Sequence, residues 1–179
     1  MEFTIKIDKT DVMAEVDRTS AYIGAKTLRQ DGGNMYNHIS TIREDAGMLQ
    51  RYWKEACSDV AAVCRDFTKG TDCADDITFI LIFDMPEDFN TSLTGVLLQY
   101  IYSYIVSYVI MQWLRLCGVN DRLEAYAATV ANGLGSIVNV LHSRKIYYDR
   151  PYGSGDNVFG RDMPQNFGET KVTVYKKDL

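Results

Sequence analysis

The sequence has little of what nucleotide-binding enzymes and metal proteins use. It holds two histidines, His38 and His142, and none of its four cysteines forms a Cys-x-x-Cys pair. It lacks a Gly-x-x-x-x-Gly-Lys phosphate loop, and Gly133 and Gly135 lie inside a helical pattern and do not follow a strand. We therefore expect no catalytic residue, no cofactor and no bound metal, and we predict that the protein is not an enzyme.

An excess of basic residues is also missing. Lysine and arginine number 19 against 24 acidic residues, which gives a formal net charge of -5 and a pI near 5.0. Because neutralisation of phosphates dominates affinity for nucleic acids, this balance predicts no specific nucleic-acid partner.

The N-terminus lacks the basic and then apolar run of a secretory signal. Cys57, Cys64 and Cys117 fall within apolar helical patterns, where a free cysteine acts as a small hydrophobic residue. Both observations favour reduced thiols in a reducing cytosol over disulfides. A zinc site is the alternative, and it would be an unusual one with so few histidines.

Charge is missing altogether from residues 89–114, a stretch long enough to span a bilayer. Tyr100, Tyr104 and Tyr108 lie at its centre, whereas membrane helices keep tyrosine near the interfaces. The composition therefore predicts a core helix buried on most of its circumference, and no membrane partner.

Hydrophobic periodicity predicts a mainly α fold, a four-helix bundle-like domain over residues 1–148 with a few short strands. An extended C-terminal arm follows over residues 149–179. The predicted helices cover about 10–29, 41–67, 86–117 and 121–146, and the predicted strands cover 3–7, 77–83 and 170–175, with a loop over 68–76. The first and last strands pair with each other or with neighbouring subunits in this interpretation.

Capping residues support these helix boundaries. Their short polar side chains, or in one case proline, suit the first turn of a helix. We predict that the four helices begin at Asp8, Thr10 or Asp11, at the capping box of Thr41 and Glu44, at Pro86, and at Asn120 or Asp121. Gly133 and Gly135 interrupt the last helix, and their expected role is a close approach between helices.

The arm is rich in glycine, aspartate and asparagine, yet it carries aromatic residues at intervals. Aromatic side chains need burial, so a merely solvated tail should be poor in them. We therefore expect another subunit to receive the arm. The predicted interface residues are Tyr148, Tyr152, Phe159, Phe167, Val172, Val174 and Tyr175.

Two other interpretations of the sequence stay open. One is a cytoplasmic helical protein-interaction module whose arm folds back on its own helices. The other is a small enzyme with an aromatic pocket between the last two helices, built around Tyr104, Gln112 or His142. For His142 the simpler role is to complement the dipole at the end of its helix.

The order of elements resembles a known family. The helix containing Gln50-Arg51-Tyr52-Trp53-Lys54 is followed by Ile77-Thr78-Phe79-Ile80-Leu81 and then by Met85-Pro86-Glu87-Asp88-Phe89. An aromatic helix closing with Met111-Gln112-Trp113-Leu114 and a last helix ending in Leu141-His142-Ser143-Arg144-Lys145 complete the pattern. This pattern is similar to that of the head–tail connector (adaptor, or head completion) proteins of tailed phages and prophages, including those of Bacteroides-type bacteria.

The resemblance implies a virion structural protein that is made in the bacterial host cytoplasm. It further implies a homo-oligomeric ring, expected to be twelve-fold, which sits on the portal protein and joins the capsid to tail proteins. The extended arm would then run along a neighbour. Because the resemblance spans about residues 42–144 and is one of pattern, it assigns a function to no individual residue.

Overall fold

The computed structural model describes residues 1–27, 35, 39, 45–72, 77–120 and 122–144. The chain divides into two units, Met1–Ser143 and Arg144–Leu179. The described part of the first unit is mainly α, as the sequence predicts. Four helices and a small sheet make up the described part: β1 (Glu2–Asp8), α1 (Lys9–Lys26), α2 (Ala46–Cys64), β2 (Thr68–Asp72), β3 (Thr78–Asp84), α3 (Thr94–Leu116) and α4 (Leu123–Leu141).

The three strands form an antiparallel sheet in the order β1-β3-β2. Glu2 lies opposite Asp84 and Asp8 lies opposite Thr78, so β1 runs along the whole of β3. Ile5 and Ile7 are buried and alternate with exposed residues, as the period-2 pattern of the sequence predicts. The two predicted strands in this region are therefore confirmed, while the predicted strand over 170–175 lies outside the described residues.

The helices close over one face of this sheet. The most deeply buried positions of α1 and α2 recur at helical spacing, and the predicted apolar stripes are confirmed at Val12, Val16, Leu49, Trp53 and Val60. α3 supplies the largest share of the core. Its fully buried residues are Leu97, Ile101, Ile105, Val109, Ile110 and Leu114.

The predicted loop over 68–76 is wrong in its first part, because β2 occupies Thr68–Asp72. The strand pairs with β3 through Thr71 opposite Leu81, and its register shifts between Thr68 and Gly70. An edge strand that is polar on both faces carries no apolar alternation, so the pattern typical of strands is missing from its sequence.

α3 begins at Thr94 and not at Pro86. Phe89 is fully buried and stacks on the ring of Phe3 at 5.9 Å between centroids. Drawing this ring into the core bends the chain, and a short 3-10 helix then begins after Asn90. The Asn90 side chain accepts a hydrogen bond from the backbone N–H of Ser92 at 3.2 Å and so caps the 3-10 helix. Leu93 precedes α3 without a side-chain cap bond.

The other helix ends also differ from the predictions. α1 ends at Lys26 and not at residue 29, because Thr27 is extended and its N–H and hydroxyl both donate to the carbonyl of Ile23. Asp8 precedes α1 without capping it through its side chain, since its carboxylate accepts from the hydroxyl of Thr78. The predicted seven-turn helix of 41–67 ends as an α-helix at Cys64 and continues as a 3-10 turn.

α4 covers Leu123–Leu141 where the sequence predicts 121–146. Arg122 occupies the cap position without a side-chain cap bond, so the predicted cap at Asn120 is wrong. Asn120 contributes through its carbonyl, which accepts from the N–H of Leu123. The predicted caps Thr41, Glu44 and Asp121 lie outside the described residues.

Candidate functional site

The interface residues predicted from the sequence all lie outside the described residues. This applies to Tyr148, Tyr152, Phe159, Phe167, Val172, Val174 and Tyr175, whose role stays a prediction. The described unit nevertheless has three surface features that bear on function. They are a polar groove beside α2, an uncharged surface on α3 and α4, and the outer edge of β1.

The polar groove lies where α2 meets α3. Tyr104 donates a hydrogen bond to Asp59 Oδ2 at 3.0 Å, and Tyr108 donates to Glu55 Oε2 at 3.3 Å. The groove has a volume of about 590 Å³ and opens broadly to solvent. Its lining consists of Gly47, Gln50, Arg51, Lys54, Glu55, Ser58, Asp59 and Tyr108.

The charged groups of the groove neutralise one another. Arg51 Nε donates to Glu55 Oε1 at 2.9 Å, and this hydrogen bond raises the pKa of the Arg51 guanidinium. Burial, reinforced by the hydrogen bond to Asp59, raises the pKa of Tyr104 well above its usual range. Tyr104 therefore stays a neutral hydrogen-bond donor, and the arrangement suits a clamp between two helices better than acid–base chemistry.

Of the three residues of the predicted aromatic pocket, Tyr104 and Gln112 both lie near Tyr108, whereas His142 has separate surroundings. The Tyr108 hydroxyl interacts with Gln112, one turn further along α3, so Gln112 lies near the tyrosine–carboxylate contacts. His142 instead follows the end of α4 and meets the ring of Phe67 edge-on at 5.1 Å between centroids. Its predicted position at a helix C-terminus is confirmed, and its charge there stays a prediction.

The sequence alone did not reveal the tyrosine–carboxylate contacts. Asp59 is polar and follows the charged side of the α2 pattern, which predicts a solvated position. One feature of the sequence does indicate these contacts. Glu55 and Asp59 are four residues apart on α2, and Tyr104 and Tyr108 are four residues apart on α3. Two helices with partners at the same interval can form two equivalent contacts across one interface.

Gly133 makes the close helix approach that the sequence predicts for α4. A Cβ placed on Gly133 would lie 2.8 Å from Tyr104 Cδ2, which is inside van der Waals contact. Gly135 has open space around it, so the same prediction is wrong for that residue. Only hydrogen at Gly133 lets the ring of Tyr104 lie against α4 and reach Asp59.

The second feature is an uncharged surface on α3 and α4. Exposed residues of α1 include Asp11, Asp17, Arg18 and Lys26, as expected for a solvated helix. The exposed residues of α4 beyond Glu124 include no Asp, Glu, Lys or Arg, and neither do those at the start of α3. The uncharged surface consists of Ala125, Ala128, Thr129, Ala131, Asn132, Gly135 and Asn139 on α4, and Gly95, Val96, Leu98, Gln99 and Tyr100 on α3.

The two parts of the uncharged surface lie on neighbouring helices. α3 and α4 are joined by a short connection, and Tyr104 meets Gly133 part-way along both. Tyr100 lies one turn before Tyr104 on α3. Val96, Leu98 and Tyr100 are 38%, 41% and 41% exposed, a large apolar exposure for little more than one turn of helix. Surfaces depleted in charge and enriched in aromatic and aliphatic groups are typical of subunit contacts.

By length and composition, α3 together with the short 3-10 helix before it is long and apolar enough to cross a membrane. The stretch Thr91–Leu116 has a mean hydropathy of 1.5, and 44% of its most apolar window is buried inside the protein. Its buried side belongs to the same core as the sheet and the other helices. This is the packing of a core helix, and the absence of a membrane partner stays a prediction.

The third feature is the outer edge of β1, which is an edge strand of the sheet.

In the described ranges, no group of three or more His, Cys, Asp or Glu side chains is placed to hold a metal ion. Cys73 and His38 lie outside those ranges.

Comparison with protein-family models, curated proteins and solved structures found no match to this chain.

Proposed function

We propose that the protein is a virion structural protein, a head–tail connector subunit that acts by assembly and not by turnover. In this proposal it forms a homo-oligomeric ring on the portal protein and joins the capsid to the tail. The pattern of the sequence from residue 42 to 144 is the first support for this proposal. The observation that carries the assembly part is the uncharged surface on α3 and α4.

The uncharged surface supports assembly for a physical reason. A helix face that remains in water gains little from omitting charge, and it loses solubility. Burying such a face against another subunit removes apolar area from water, at about 25 cal/mol per Å². Its alanine and glycine positions also allow two backbones to approach closely.

A ring requires two different complementary faces on each subunit, because a head-to-tail contact repeats until rotation closes the circle. The uncharged surface provides one candidate face. The polar groove beside α2, with its balanced charges, is the kind of rim that such a contact tolerates. The arm of residues 149–179 would add a further contact with a neighbour or with the portal.

The mass of the purified chain in solution tests the proposal. At several concentrations, we expect particles much larger than the 20.3 kDa chain, and a twelve-fold ring would have about twelve times that mass. Removing the residues after Tyr148 should weaken or abolish these particles. A monomer at every concentration, indifferent to loss of the arm, would overturn the proposal and direct attention to the polar groove.

A pair of matched substitutions localises the contact. Ala131→Glu places a charge on the uncharged surface, and Ala62→Glu places the same charge on an exposed position of α2. Both exchange an exposed helical alanine for glutamate, so their intrinsic helix costs are alike. We expect Ala131→Glu to reduce the particle mass and Ala62→Glu to leave it unchanged. Equal behaviour of the two variants would contradict the assignment of this face.

A further inference from the structure

The outer edge of β1 has backbone groups that bond to no other strand within the part of the chain that the structure describes. Lys9 N donates to Ile77 O at 2.8 Å, and Met1 O accepts from Met85 N at 2.8 Å. In an antiparallel ladder the directly bonded residues alternate, so every odd-numbered residue of β1 bonds to β3. The N–H and C=O groups of Glu2, Thr4 and Lys6 therefore point away from the sheet. Across the described ranges, no backbone group is hydrogen-bonded to them.

The two edge strands of the sheet, β1 and β2, differ in how well they could pair with an added strand. β2 is five residues long, and its register is broken at Gly70. β1 is seven residues long and pairs with β3 without a register shift. Natural edge strands avoid pairing by being short, bulged, charged or interrupted by proline. β1 is charged at Glu2, Lys6 and Asp8, but it is neither short, bulged nor broken by proline. The edge of β1 is thus the better template for strand addition.

One segment of the chain matches this edge in pattern. Val172 and Val174 alternate with polar residues in the run Lys171-Val172-Thr173-Val174-Tyr175-Lys176-Lys177. In a strand, Val172 and Val174 lie on one face and can continue the buried face formed by Ile5 and Ile7, with Lys176 at the end of that face. The run has the same length as β1.

The charges of the two strands then select one register. β1 has Glu2 and Asp8 near its ends, and the segment has Lys171 and Lys177 at its ends. The carboxylates of Glu2 and Asp8 contact Lys69 and Lys6 at 3.5 and 3.9 Å and remain about half exposed. Each can therefore accept a second cation from an added strand.

We propose that residues 171–177 of a neighbouring copy add to the outer edge of β1 as an antiparallel strand. Lys177 lies opposite Glu2 and Lys171 opposite Asp8 in this pairing. The same register places Val174 beside Ile5 and Val172 beside Ile7, and Thr173 opposite Lys6. The inference rests on the proposed ring assembly and names the contact that the arm makes within it.

The length of the connection allows a neighbour to be reached. Residues 145–170 separate the described unit from the segment. Fully extended, a chain of this length spans roughly 86 Å at about 3.3 Å per residue. A domain of this size has a radius of gyration of only about 14 Å, so the segment can reach the sheet of the next subunit.

Disulfide trapping between two variants that each carry one introduced cysteine tests the inference. Full-length chains carry Cys73→Ser and Cys117→Ser, while the buried Cys57 and Cys64 are retained. One tagged chain also carries Lys6→Cys, and a second chain carries Thr173→Cys. A directly bonded antiparallel pair has its Cα atoms about 5.5 Å apart, which is a good distance for a disulfide. After mixing and mild oxidation, we expect a covalent heterodimer on a non-reducing gel.

A register control uses Thr4→Cys in place of Lys6→Cys. In the proposed pairing Thr4 and Thr173 are diagonal neighbours about 7 to 8 Å apart, too far for efficient disulfide formation. We expect several-fold less heterodimer from this mixture. Equal yields from the two mixtures would overturn the proposed register.

A backbone control uses Thr173→Pro beside Thr173→Ala in otherwise unmodified chains. Proline removes the N–H that donates to β1, whereas alanine keeps it. The proline variant alone should lose particle mass in solution. If both variants keep full mass, the edge contact is wrong while the ring assembly stands.

The double variant Lys6→Cys/Thr173→Cys in a single chain gives the remaining outcome. A disulfide confined within one chain would show that each arm covers its own sheet, which overturns the contact with a neighbour. If no heterodimer forms and the unmodified chain still assembles, the strand addition is wrong and the proposed function survives. If no heterodimer forms and the chain is a monomer, both are wrong.

Discussion

The substitution Gly133→Ala probes the contact between α3 and α4 and the hydrogen bond that depends on it. The new Cβ would lie 2.8 Å from Tyr104 Cδ2, whereas carbon atoms in contact are about 3.5 to 4.0 Å apart. The ring must therefore move by about 0.7 Å or more. It has little freedom to do so, because Tyr104 is 2% exposed and its hydroxyl is held by Asp59 at 3.0 Å.

The expected magnitude follows from two opposing terms. Replacing a glycine inside a helix by alanine stabilises the helix by about 1 kcal/mol. Overpacking a filled site costs about 1 to 3 kcal/mol. We therefore expect Gly133→Ala to lower the free energy of unfolding by about 0 to 2 kcal/mol. Gly135→Ala, in the same helix with no neighbouring atom within 4 Å, should raise it by nearly 1 kcal/mol.

Thermal and urea unfolding followed by circular dichroism measures both variants. For a chain of this length, 1 kcal/mol shifts Tm by about 2 to 4 °C, so the two variants should differ by several degrees. In a Tyr104→Ala background the clash disappears, and Gly133→Ala should then stabilise as Gly135→Ala does. Equal stabilisation by the two alanines in the unmodified protein would refute the close approach.

Three other predictions concern buried groups. Trp113→Phe should lower the free energy of unfolding by about 1 to 3 kcal/mol, because it removes the donor to the carbonyl of Ile39 at 2.6 Å; an unchanged urea midpoint would contradict this. Burial raises the pKa of Tyr104 in the folded state, so its stability contribution is complete below about pH 10 and is lost as the pH rises further. Unfolding at pH 9 to 11 should show a steeper loss in the wild type than in Tyr104→Phe, and identical slopes would disprove it. Burial raises the pKa of the Cys64 thiol to about 12, so iodoacetamide at pH 8 should leave Cys64 unmodified by mass spectrometry until denaturant is added.

Much of the described fold could be predicted because its elements have strong periodicity. Trp53 and Val60 recur at helical spacing, and Ile5 and Ile7 alternate with polar residues, so each pattern has a single interpretation. β2 was missed because a polar edge strand lacks such a pattern. The start of α3 was misplaced because the burial of Phe89, a tertiary event, overrides a favourable helix start at Pro86.

The candidate site was less predictable for a related reason. The sequence indicates surplus apolar surface on α3, but only the packing shows that Val96, Leu98 and Tyr100 are the residues left outside. Likewise, Asp59 looks like a solvated residue until Tyr104 is placed against Gly133. Contacts between distant segments depend on geometry that no local window of sequence contains.

The pairing of β1 with β3 also constrains how the chain matures during synthesis. Glu2 of β1 pairs with Asp84 of β3, so β1 is synthesised long before the strand with which it pairs. At about 5 to 20 residues per second, the ribosome needs roughly 4 to 16 s to make the intervening chain. Ile5 and Ile7 lack their sheet partner throughout that interval, so this apolar segment stays exposed until β3 is made. The speed of translation between residues 2 and 84 is therefore expected to influence how much of the protein reaches its native state.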